Sequence, residues 1–483
     1  MFTSLPRQGK ILVLVCTISL VTIWTYRLPR LCIFDQCPHP PAAIIPCSST
    51  LGRQRQHQSN GTDLDLSAPD APFVAWPLAR VCSENTRWTP GLVFVCDNNS
   101  GGIGNIRNFI LTCLRYAVEA GATGVALPTI QSRSPDRLAD LFVGDQRPFS
   151  YFFDEAHFRD GLAEACPQIT VYGDDLAGVP GLDAEELRAG RVRPERITPN
   201  HFGLRGGCDV RDLNRHTGLF GERFQAFLTE KDENQHQQQR LGPTGVLKPR
   251  LVRVNWGVQW NWPVMQDGPE FAASFGGLLR FRHDILSLGE RTADAMQKLA
   301  STSTPGGGDG GRGFVGIHLR TESDALGAWP SFDNQTAAYL ARAAGLEPPP
   351  PGHAYLATGN ATEAARLAAL AEERQGLRVI TKHELLRASG GDGGELLRRL
   401  DSLSWDQQAL VDFVVLLRCG FFLGVSPSSF SMNVALKRHL RGDGLLTRPW
   451  RIGDAEGDGR SWLVGRYDSY WEDWLFMYDS LWP

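Results

Sequence analysis

The sequence predicts an α/β fold with two parallel-sheet domains, and two observations favour this fold class. Residues 92–127 read as a strand, a glycine-rich turn, a helix and a second strand. Such a unit is the building block of parallel sheets. The same alternation restarts at residue 314, beyond a glycine-rich linker at 304–313. Two α/β domains joined by a linker imply a cleft between them, and clefts are common ligand sites.

The first 88 residues lie outside this α/β pattern. The run from Ile11 to Trp24 is apolar, and basic residues flank it on both sides. No small-residue cleavage site follows, which favours an uncleaved signal anchor over a cleaved signal peptide. We therefore expect residues 1–27 to form a cytosolic stub and a membrane anchor. Residues 28–88 are rich in Pro, Ser, Gln and Asn, and we expect a flexible stem there.

Cysteines and glycosylation sequons are compatible with a lumenal location behind such an anchor. The chain has 10 cysteines, and all except Cys16 would lie in an oxidising lumen, where disulfides form. Nine is an odd number, so at least one thiol is expected to be free or bonded to another chain, and no pairing follows from the sequence. No cysteine pair has zinc-site spacing. Sequons for N-glycosylation occur at four asparagines, Asn60, Asn98, Asn334 and Asn360. Together they are compatible with lumenal exposure. With the expected anchor, we expect a single-pass type II protein of the Golgi or endoplasmic reticulum membrane.

The first domain, placed at residues 89–303, gives clear signals only near its ends. The expected elements are a strand at 92–96, a helix at 106–120, a strand at 124–127 and a largely helical stretch at 281–299. Gly121 is placed to end the first of these helices. Residues 235–239 (QHQQQ) read as a polar loop. The rest of this region has no periodicity that identifies its elements.

The second domain, placed at residues 314–449, shows the α/β alternation throughout. The expected strands are 314–319, 354–358, 378–381 and 421–425, and the expected helices are 362–374, 406–417 and one that ends near Arg438. The tail 450–483 carries five tryptophans, which is too apolar for a free tail. We expect this tail to dock back onto the body of the protein.

The glycine-rich turn after the first strand is one candidate ligand site. It reads GGIGNIR and contains Gly102, Gly104, Asn105 and Arg107. Glycines at a strand-to-helix turn let backbone N–H groups approach a phosphate or sugar. The alternative is a tight turn that needs positive φ. The spacing differs from that of a dinucleotide site, and no acidic residue closes the second strand.

The segment HLRTESD is a second candidate site. His318 and Arg320 point the same way at the carboxyl end of a buried strand, where α/β sheets bind ligands. Arginine rarely enters a core unpaired, and a diphosphate would be a bidentate partner. The alternatives are a structural salt bridge between Arg320 and Asp324 and a core role for His318.

A third candidate site combines Asp412 with the turn after the last expected strand. Ser428 and Ser429 either cap the following helix or bind an anion at its N-terminus. Asp412 lies within the apolar stretch ALVDFVVLL. A buried carboxylate there needs a hydrogen-bond donor, and the edge of a guanine base would serve.

Taken in order, these motifs resemble those of the GDP-fucose protein O-fucosyltransferase superfamily, including its large plant-type branch. The matching segments are GGIGNIR, HLRTESD, AYLATGN, ITKHELL and ALVDFVVLLRCGFFLGVSPSSFSMNVALKRH, and residues 152–171 resemble that branch as well. The resemblance extends over roughly residues 90–440. It implies a GT-B-like architecture, in which two Rossmann-like domains face a cleft. The second domain would bind the nucleotide sugar, and the first would lie on the acceptor side.

The resemblance also implies roles for individual residues. Asn105 would lie near the β-phosphate and the sugar, and Arg320 would hold the diphosphate. Asp324 would orient the arginine. The other implied donor contacts are His318 and Asp412 beside the guanosine, Ser428, Ser429 and Phe430 beside phosphate and base, and Gly102, Gly104 and Arg107 in the glycine-rich turn.

The function that follows is inverting transfer of fucose from GDP-fucose to a hydroxyl group of a secretory-pathway protein or glycan. Arg320 and Asn105 would stabilise the departing diphosphate. Glu322 is a candidate base, and its alternatives are a surface residue and an arginine partner. No DxD motif follows an apolar strand, so no metal or other cofactor is required. A net charge of −4 disfavours nucleic-acid binding. The alternatives are a transferase that uses another nucleotide deoxysugar such as UDP-rhamnose, and a catalytically silent lumenal binding protein.

Overall fold

The computed structural model describes residues 64–198, 216–234, 248–302, 313–347 except 326 and 328, 352–441 and 458–483. The expected anchor, Asn60, the polar loop 235–239 and the linker residues 304–312 lie outside these ranges. No helix within them is long and apolar enough to cross a membrane. From residue 63 onward the chain forms one unit.

In the described residues, the first half of this unit is built on a parallel sheet of five strands. Its strands are β1 (Thr89–Val95), β2 (Ala122–Ala126), β5 (Thr170–Tyr172), β6 (Glu195–Ile197) and β7 (Arg250–Val254), in the spatial order β5-β2-β1-β7-β6. A separate antiparallel pair consists of β3 (Ile130–Gln131) and β4 (Gln146–Arg147). The helices of this half are α1 (Trp76–Glu84), α2 (Ile103–Glu119), α3 (Glu155–Ala165), α4 (Ala184–Arg188), α5 (His216–Asn234) and α6 (Pro269–Ser274). The predicted strand–helix–strand unit is confirmed in β1, α2 and β2.

The second half carries another parallel sheet, again with five strands in the part of the chain that is described. Its strands are β8 (Val315–His318), β9 (His353–Ala357), β10 (Arg378–Thr381), β11 (Phe421–Val425) and β12 (Ser461–Val464), in the order β10-β9-β8-β11-β12. The helices that surround it are α7 (His283–Thr302), α8 (Phe332–Ala344), α9 (Ala361–Gln375), α10 (Lys382–Ala388), α11 (Gly393–Asp401), α12 (Trp405–Arg418) and α13 (Ser429–His439), and α14 (Phe476–Ser480) follows near the C-terminus. The strands and helices expected in this half are confirmed. Both β8 and β11 are buried along their whole length, as strands covered on both faces must be.

The flexible stem expected at 28–88 is wrong for its last part. Helix α1 buries Leu78, Val81 and Cys82 in the core of the first half. A disulfide joins Cys82 to Cys166 at the end of α3, and a second joins Cys96 to Cys113. The polar composition of the stem as a whole obscured a short apolar stripe, because these three residues have the i, i+3, i+4 spacing of a buried helix face.

Helix α7 belongs to the second half by its packing, although it precedes the linker. It lies against α12 and also contacts α10 and α11. Gly289 of α7 faces Val414 of α12 so closely that a Cβ there would lie 2.6 Å from the valine Cβ. The boundary expected after residue 303 therefore does not separate the packing layers, and one continuous core includes residues of both halves.

The described part of the tail lies on the body of the protein. Strand β12 adds to the edge of the second sheet beside β11. Trp482 is 1% exposed, and its backbone N–H and indole N–H donate to Asn108 and Thr112 of α2. Its carbonyl accepts a hydrogen bond of 2.7 Å from Asn433 of α13. The C-terminal segment therefore contacts helices of both halves.

Candidate active site

A cavity of about 500 Å³ lies between the two halves, at the carboxyl ends of their strands. The first half contributes Gly101, Gly102, Ile103, Arg133 and Phe152. Most of the lining comes from the second half, at the ends of β8, β9 and β10 and on α9, α10 and α12. Ligands of parallel α/β sheets bind at this edge.

Arg320 lies at the wall of this cavity and is already paired within the protein. Its guanidinium contacts Glu322 at 2.6 Å and Asp324 at 2.6 Å, so the salt bridge given as the alternative in the sequence is present. Burial alone would lower the pKa of Arg320, but the two carboxylates together raise it. A guanidinium has five N–H donors, and these contacts leave donors available for an anion.

Glu322 is held on both of its carboxylate oxygens. One contacts Arg320, and the other accepts hydrogen bonds from the backbone N–H of Gly359 at 2.7 Å and the hydroxyl of Thr358 at 3.3 Å. Burial acts to raise the pKa of Glu322, but the charge of Arg320 opposes it, and the resulting pKa lies below the ordinary value. Of the three roles that the sequence left open for Glu322, the contacts match that of an arginine partner.

His318 lines the cavity as a buried, uncharged ring. Its Nδ1 lies 2.7 Å from the hydroxyl of Ser431, and its ring centroid lies 4.5 Å from that of Phe430, which also lines the cavity. Burial lowers the pKa of His318 to about 4. The imidazole is therefore neutral near pH 7.

Asp412 lines the cavity and has two partners inside the protein. Tyr355 donates its hydroxyl to one carboxylate oxygen at 2.6 Å, and Lys382 donates from Nζ to the other at 2.7 Å. The hydrogen-bond donor expected from the edge of a guanine base is thus supplied by Tyr355 and Lys382 of the chain itself. Each carboxylate oxygen still has a lone pair for a further donor.

Two helix N-termini meet at the cavity. Gly102 precedes α2, and Gly101 before it has φ 94°, which requires glycine. At Gly104 a Cβ would lie 2.7 Å from the backbone of Ser429, the first residue of α13, so glycine is needed for the close approach of the two helices. Neither helix has an acidic residue in its first turn. The partial positive charge of both ends is therefore available to an anion.

The remaining predicted donor residues are not among those that line the cavity. Asn105 is half-buried and packs against Gly101. Ser428 caps α13 by accepting from the backbone N–H of Ser431, which was its alternative role. Ser429 contacts Gly104, and Asp324 holds Arg320 and Arg133.

The donor contact predicted for Arg107 needs correction. Its side chain is buried, and it donates to Asn433 at 2.7 Å, to the carbonyl of Gly276 at 2.9 Å and to the carbonyl of Pro483 at 3.2 Å. Burial lowers its pKa to about 10. Arg107 follows the turn by one helical turn, so its side chain enters the core between the halves and not the cavity.

Arg133 and Tyr151, which were not among the predicted site residues, join the halves beside Arg320. Arg133 contacts Asp324 at 2.7 Å, and its backbone N–H donates to Asp406 at 3.2 Å. Tyr151 donates to the other oxygen of Asp406 at 2.7 Å, and burial raises the pKa of Tyr151 to about 12. Arg133 and Tyr151 lie in the region without clear periodicity, and no local pattern marked them.

The described ranges contain no group of three or more His, Cys, Asp or Glu side chains that could hold a metal ion.

Three of the four predicted sequons lie in the described ranges. Asn334 is exposed, and Asn98 and Asn360 are half-buried. Asn360 also caps α9 by accepting from the backbone N–H of Glu363 at 3.1 Å.

Several solved fucosyltransferase structures are similar to this chain at low identity. POFUT1 in complex with GDP is 13% identical, with 74% of this chain and 97% of that chain covered and a TM-score of 0.42. NodZ from Bradyrhizobium is 15% identical, with 71% and 92% covered and a TM-score of 0.34. A mutant of Arabidopsis thaliana FUT1 in complex with GDP is 12% identical, with 74% and 71% covered and a TM-score of 0.32.

Family membership rests on the sequence match and not on these structures. Among curated proteins, none matches the chain significantly. The family described as GDP-fucose protein O-fucosyltransferase matches residues 92–441, which include both sheets except β12 and the β1 residues before Leu92. The chain therefore belongs to the GDP-fucose protein O-fucosyltransferase family and is a glycosyltransferase.

Proposed function

We propose that this protein transfers fucose from GDP-fucose to a hydroxyl group of a protein or glycan in the secretory pathway, with inversion at the sugar carbon. The observation that carries the proposal is the placement of Arg320. In a member of this family, a charged guanidinium fixed by Glu322 and Asp324 lines a cavity that two helix N-termini border. This combination suits a nucleoside diphosphate.

The chemistry follows from where charge develops. The bond between the sugar C1 and the β-phosphate oxygen breaks, and the electron pair leaves with GDP. Arg320 and the N-termini of α2 and α13 stabilise the negative charge that forms there. The acceptor oxygen attacks C1 from the opposite face, and its proton passes to solvent water. Because Glu322 is ionised and bonded on both oxygens, we assign it to holding Arg320 and not to accepting this proton.

In this proposal the reaction needs no metal ion, because Arg320 supplies positive charge beside the diphosphate. The measurement is the transfer rate before and after treatment with EDTA. An unchanged rate supports the proposal. A rate lost with EDTA and restored by Mg²⁺ or Mn²⁺ would contradict it.

The first test is thermal unfolding of the full chain with GDP, UDP and GDP-fucose. GDP should stabilise the protein by about 2.7 kcal/mol at a concentration about 100 times its Kd, and GDP-fucose should act similarly. In Arg320→Ala this stabilisation should disappear, and transfer should slow roughly 10²–10³-fold. The control is Arg398→Ala, which removes an arginine that is 74% exposed on α11.

Each alternative gives a different result in the same titration. Stabilisation by UDP and not by GDP would replace GDP-fucose with a uridine nucleotide sugar such as UDP-rhamnose. A well-folded protein that no nucleotide stabilises would contradict the donor site and favour a catalytically silent binding protein. Binding of GDP-fucose without transfer to any offered protein or glycan would support the proposed donor and contradict the proposed acceptor class.

We also propose a single-pass type II location in the Golgi or endoplasmic reticulum membrane, with the anchor at residues 11–24. The two disulfides support this, because such bonds form in oxidising compartments. The measurement is protease protection in sealed microsomes, with glycosylation at the exposed Asn334 as a second readout. Digestion of the catalytic part without detergent would contradict the proposal.

A further inference from the structure

Lys382 is a buried cation in the cavity wall that the proposed reaction does not use. It is the first residue of α10 and follows β10 directly, at the carboxyl edge of the second sheet. Its side chain is 10% exposed, and its Nζ lies 2.7 Å from Asp412. A buried ion pair that lines a ligand cavity is costly to desolvate, so its position calls for an explanation beyond stability.

The pair lies apart from the residues assigned to the diphosphate. Arg320 follows β8 and Lys382 follows β10, and β9 lies between these strands. Strands are about 4.8 Å apart, so the two strand ends are separated by roughly 10 Å along the sheet edge. The α-phosphate, the ribose and the base together span such a distance from the β-phosphate of a nucleoside diphosphate. The end of the cavity at β10 therefore fits the base.

One part of the cavity wall is apolar, whereas α10 adds the polar neighbours His383, Glu384 and Arg387. Leu356, Val379 and the α9 alanines Ala364, Ala365 and Ala368 line the same cavity. Small apolar side chains leave room for a flat heterocycle, and a few polar groups then set its orientation. Lys382 and Asp412 are polar groups of this kind.

We propose that Lys382, together with Asp412, reads the Watson–Crick edge of the donor base and selects guanine; this rests on the function proposed above. Guanine presents an acceptor, O6, beside two donors, N1–H and the N2 amino group. The ammonium of Lys382 has N–H donors left for O6, and the free lone pairs of Asp412 accept from N1 and N2.

The same pair rejects other bases by repulsion. Adenine and cytosine turn an amino group toward the ammonium and a ring-nitrogen lone pair toward the carboxylate, so both contacts are unfavourable. Uracil matches the first two contacts, but its O2 faces the carboxylate where guanine has an amino group. Hypoxanthine lacks only that amino group. The expected order of affinity is GDP, then IDP, then UDP, with ADP and CDP weakest.

The test compares nucleotide affinities in the full chain and two variants. Replacing O6 by sulfur in 6-thio-GDP weakens one acceptor and keeps both donors. Wild-type protein should bind GDP about tenfold or more tightly than 6-thio-GDP, since a hydrogen bond to a charged group is lost. In Lys382→Met the affinities for GDP and 6-thio-GDP should become nearly equal. The expected order of affinity for GDP, IDP, UDP, ADP and CDP is tested in the wild-type protein alone.

Arg387→Met is the matched control. Arg387 lies on the same helix and lines the same cavity, but it is exposed. Its loss should weaken all nucleotides alike and preserve the ratio of GDP to 6-thio-GDP. Lys382→Arg keeps a cation at the site and should preserve the preference for GDP over ADP.

The outcomes separate the inference from the function on which it rests. A wild-type protein that no guanine nucleotide stabilises would overturn the proposed function and the inference together. Tight GDP binding with no loss for 6-thio-GDP would overturn the role of Lys382 alone. A folded Lys382→Met variant that keeps the wild-type ratio of GDP to 6-thio-GDP affinity would also overturn the role of Lys382. Lys382 would then be only the structural partner of Asp412.

Discussion

His318 shows how burial governs the protonation of a residue in the cavity wall. Its ring is 7% exposed, lies against Phe430 and contacts Ser431. Water solvates an imidazolium well, and this environment does not. In the folded protein the His318 ring therefore stays neutral down to a pKa of about 4. In the unfolded chain the same ring takes up a proton near the ordinary pKa of 6.5.

This difference predicts a loss of stability in acid. Because the unfolded state binds the proton first, the contribution of His318 is complete above pH 6.5 and falls as the pH drops toward 4. The total change is about 3 kcal/mol. Denaturant unfolding of His318→Gln should show a flatter acid limb than wild type. The exposed His283→Gln should keep the wild-type slope, and equal slopes in wild type and His318→Gln would contradict the argument.

Single residues were predictable where their partners are near in sequence. Arg320, Glu322 and Asp324 form one local cluster, so the salt bridge could be anticipated. Lys382 and Asp412 are 30 residues apart on different helices, and only the fold brings them together. Arg107 was misplaced because its position in the motif does not show which face of α2 turns toward the core.

At the scale of elements, the contact between α2 and α13 sets the width of the cavity at one edge. The first turn of α2 touches the first turn of α13 at Gly104 and Ser429. Phe430, the next residue of α13, lines the cavity. Any group that separates the two helices also moves the cavity wall.

Gly104→Ala should therefore destabilise the protein although alanine favours helix. The added Cβ meets backbone atoms at 2.7 Å, which cannot rotate away, so we expect a loss of roughly 1–3 kcal/mol and weaker GDP binding. Chemical denaturation measures the first and titration the second. Gly394→Ala is the control, since that helical glycine is exposed and a Cβ there meets no atom of the described residues within 4 Å. It should be neutral or stabilise by up to about 1 kcal/mol.

The elements that periodicity identified are those with long, regular patterns. Strand β1, helix α2 and the alternation from β8 to α13 all carry them. In the first half, β5 and β6 have three residues each and pair with strands distant in sequence. Three residues are too few to show a period of two, so these strands became visible only as partners of β2 and β7.

At the scale of the whole molecule, the two halves are joined on both sides of the cavity. Trp482 contacts α2 and α13 from behind, as described above. On the cavity side, Arg133 of the first half contacts Asp324 and Asp406 of the second. Since Asp324 also holds Arg320, the position of the proposed diphosphate ligand depends on how the halves are joined.

Loss of Arg133 should affect stability and catalysis together. Arg133 and Asp324 have side chains that are each 9% exposed. Because Asp324 keeps Arg320 as a partner, loss of the Arg133 contact should cost roughly 1.5–3 kcal/mol, the range for a hydrogen bond to a charged group. In Arg133→Gln we expect that loss in unfolding free energy, and a fall in kcat because Arg320 is less firmly held. Arg147→Gln removes a pair with Asp145 in which the side chains are 47% and 73% exposed, and should cost about 0–1 kcal/mol. Equal behaviour of both variants would contradict a role in joining the halves.

The bond between Cys82 and Cys166 has a practical consequence for making this enzyme. It fastens α1, which precedes the first strand, to the end of α3, so a truncation chosen at residue 89 from the α/β pattern would delete part of the core. Expression in a reducing cytosol would leave four thiols, Cys82, Cys96, Cys113 and Cys166, where the folded protein has two disulfides. A soluble fragment should therefore begin before Trp76 and be produced by secretion or by refolding under oxidising conditions.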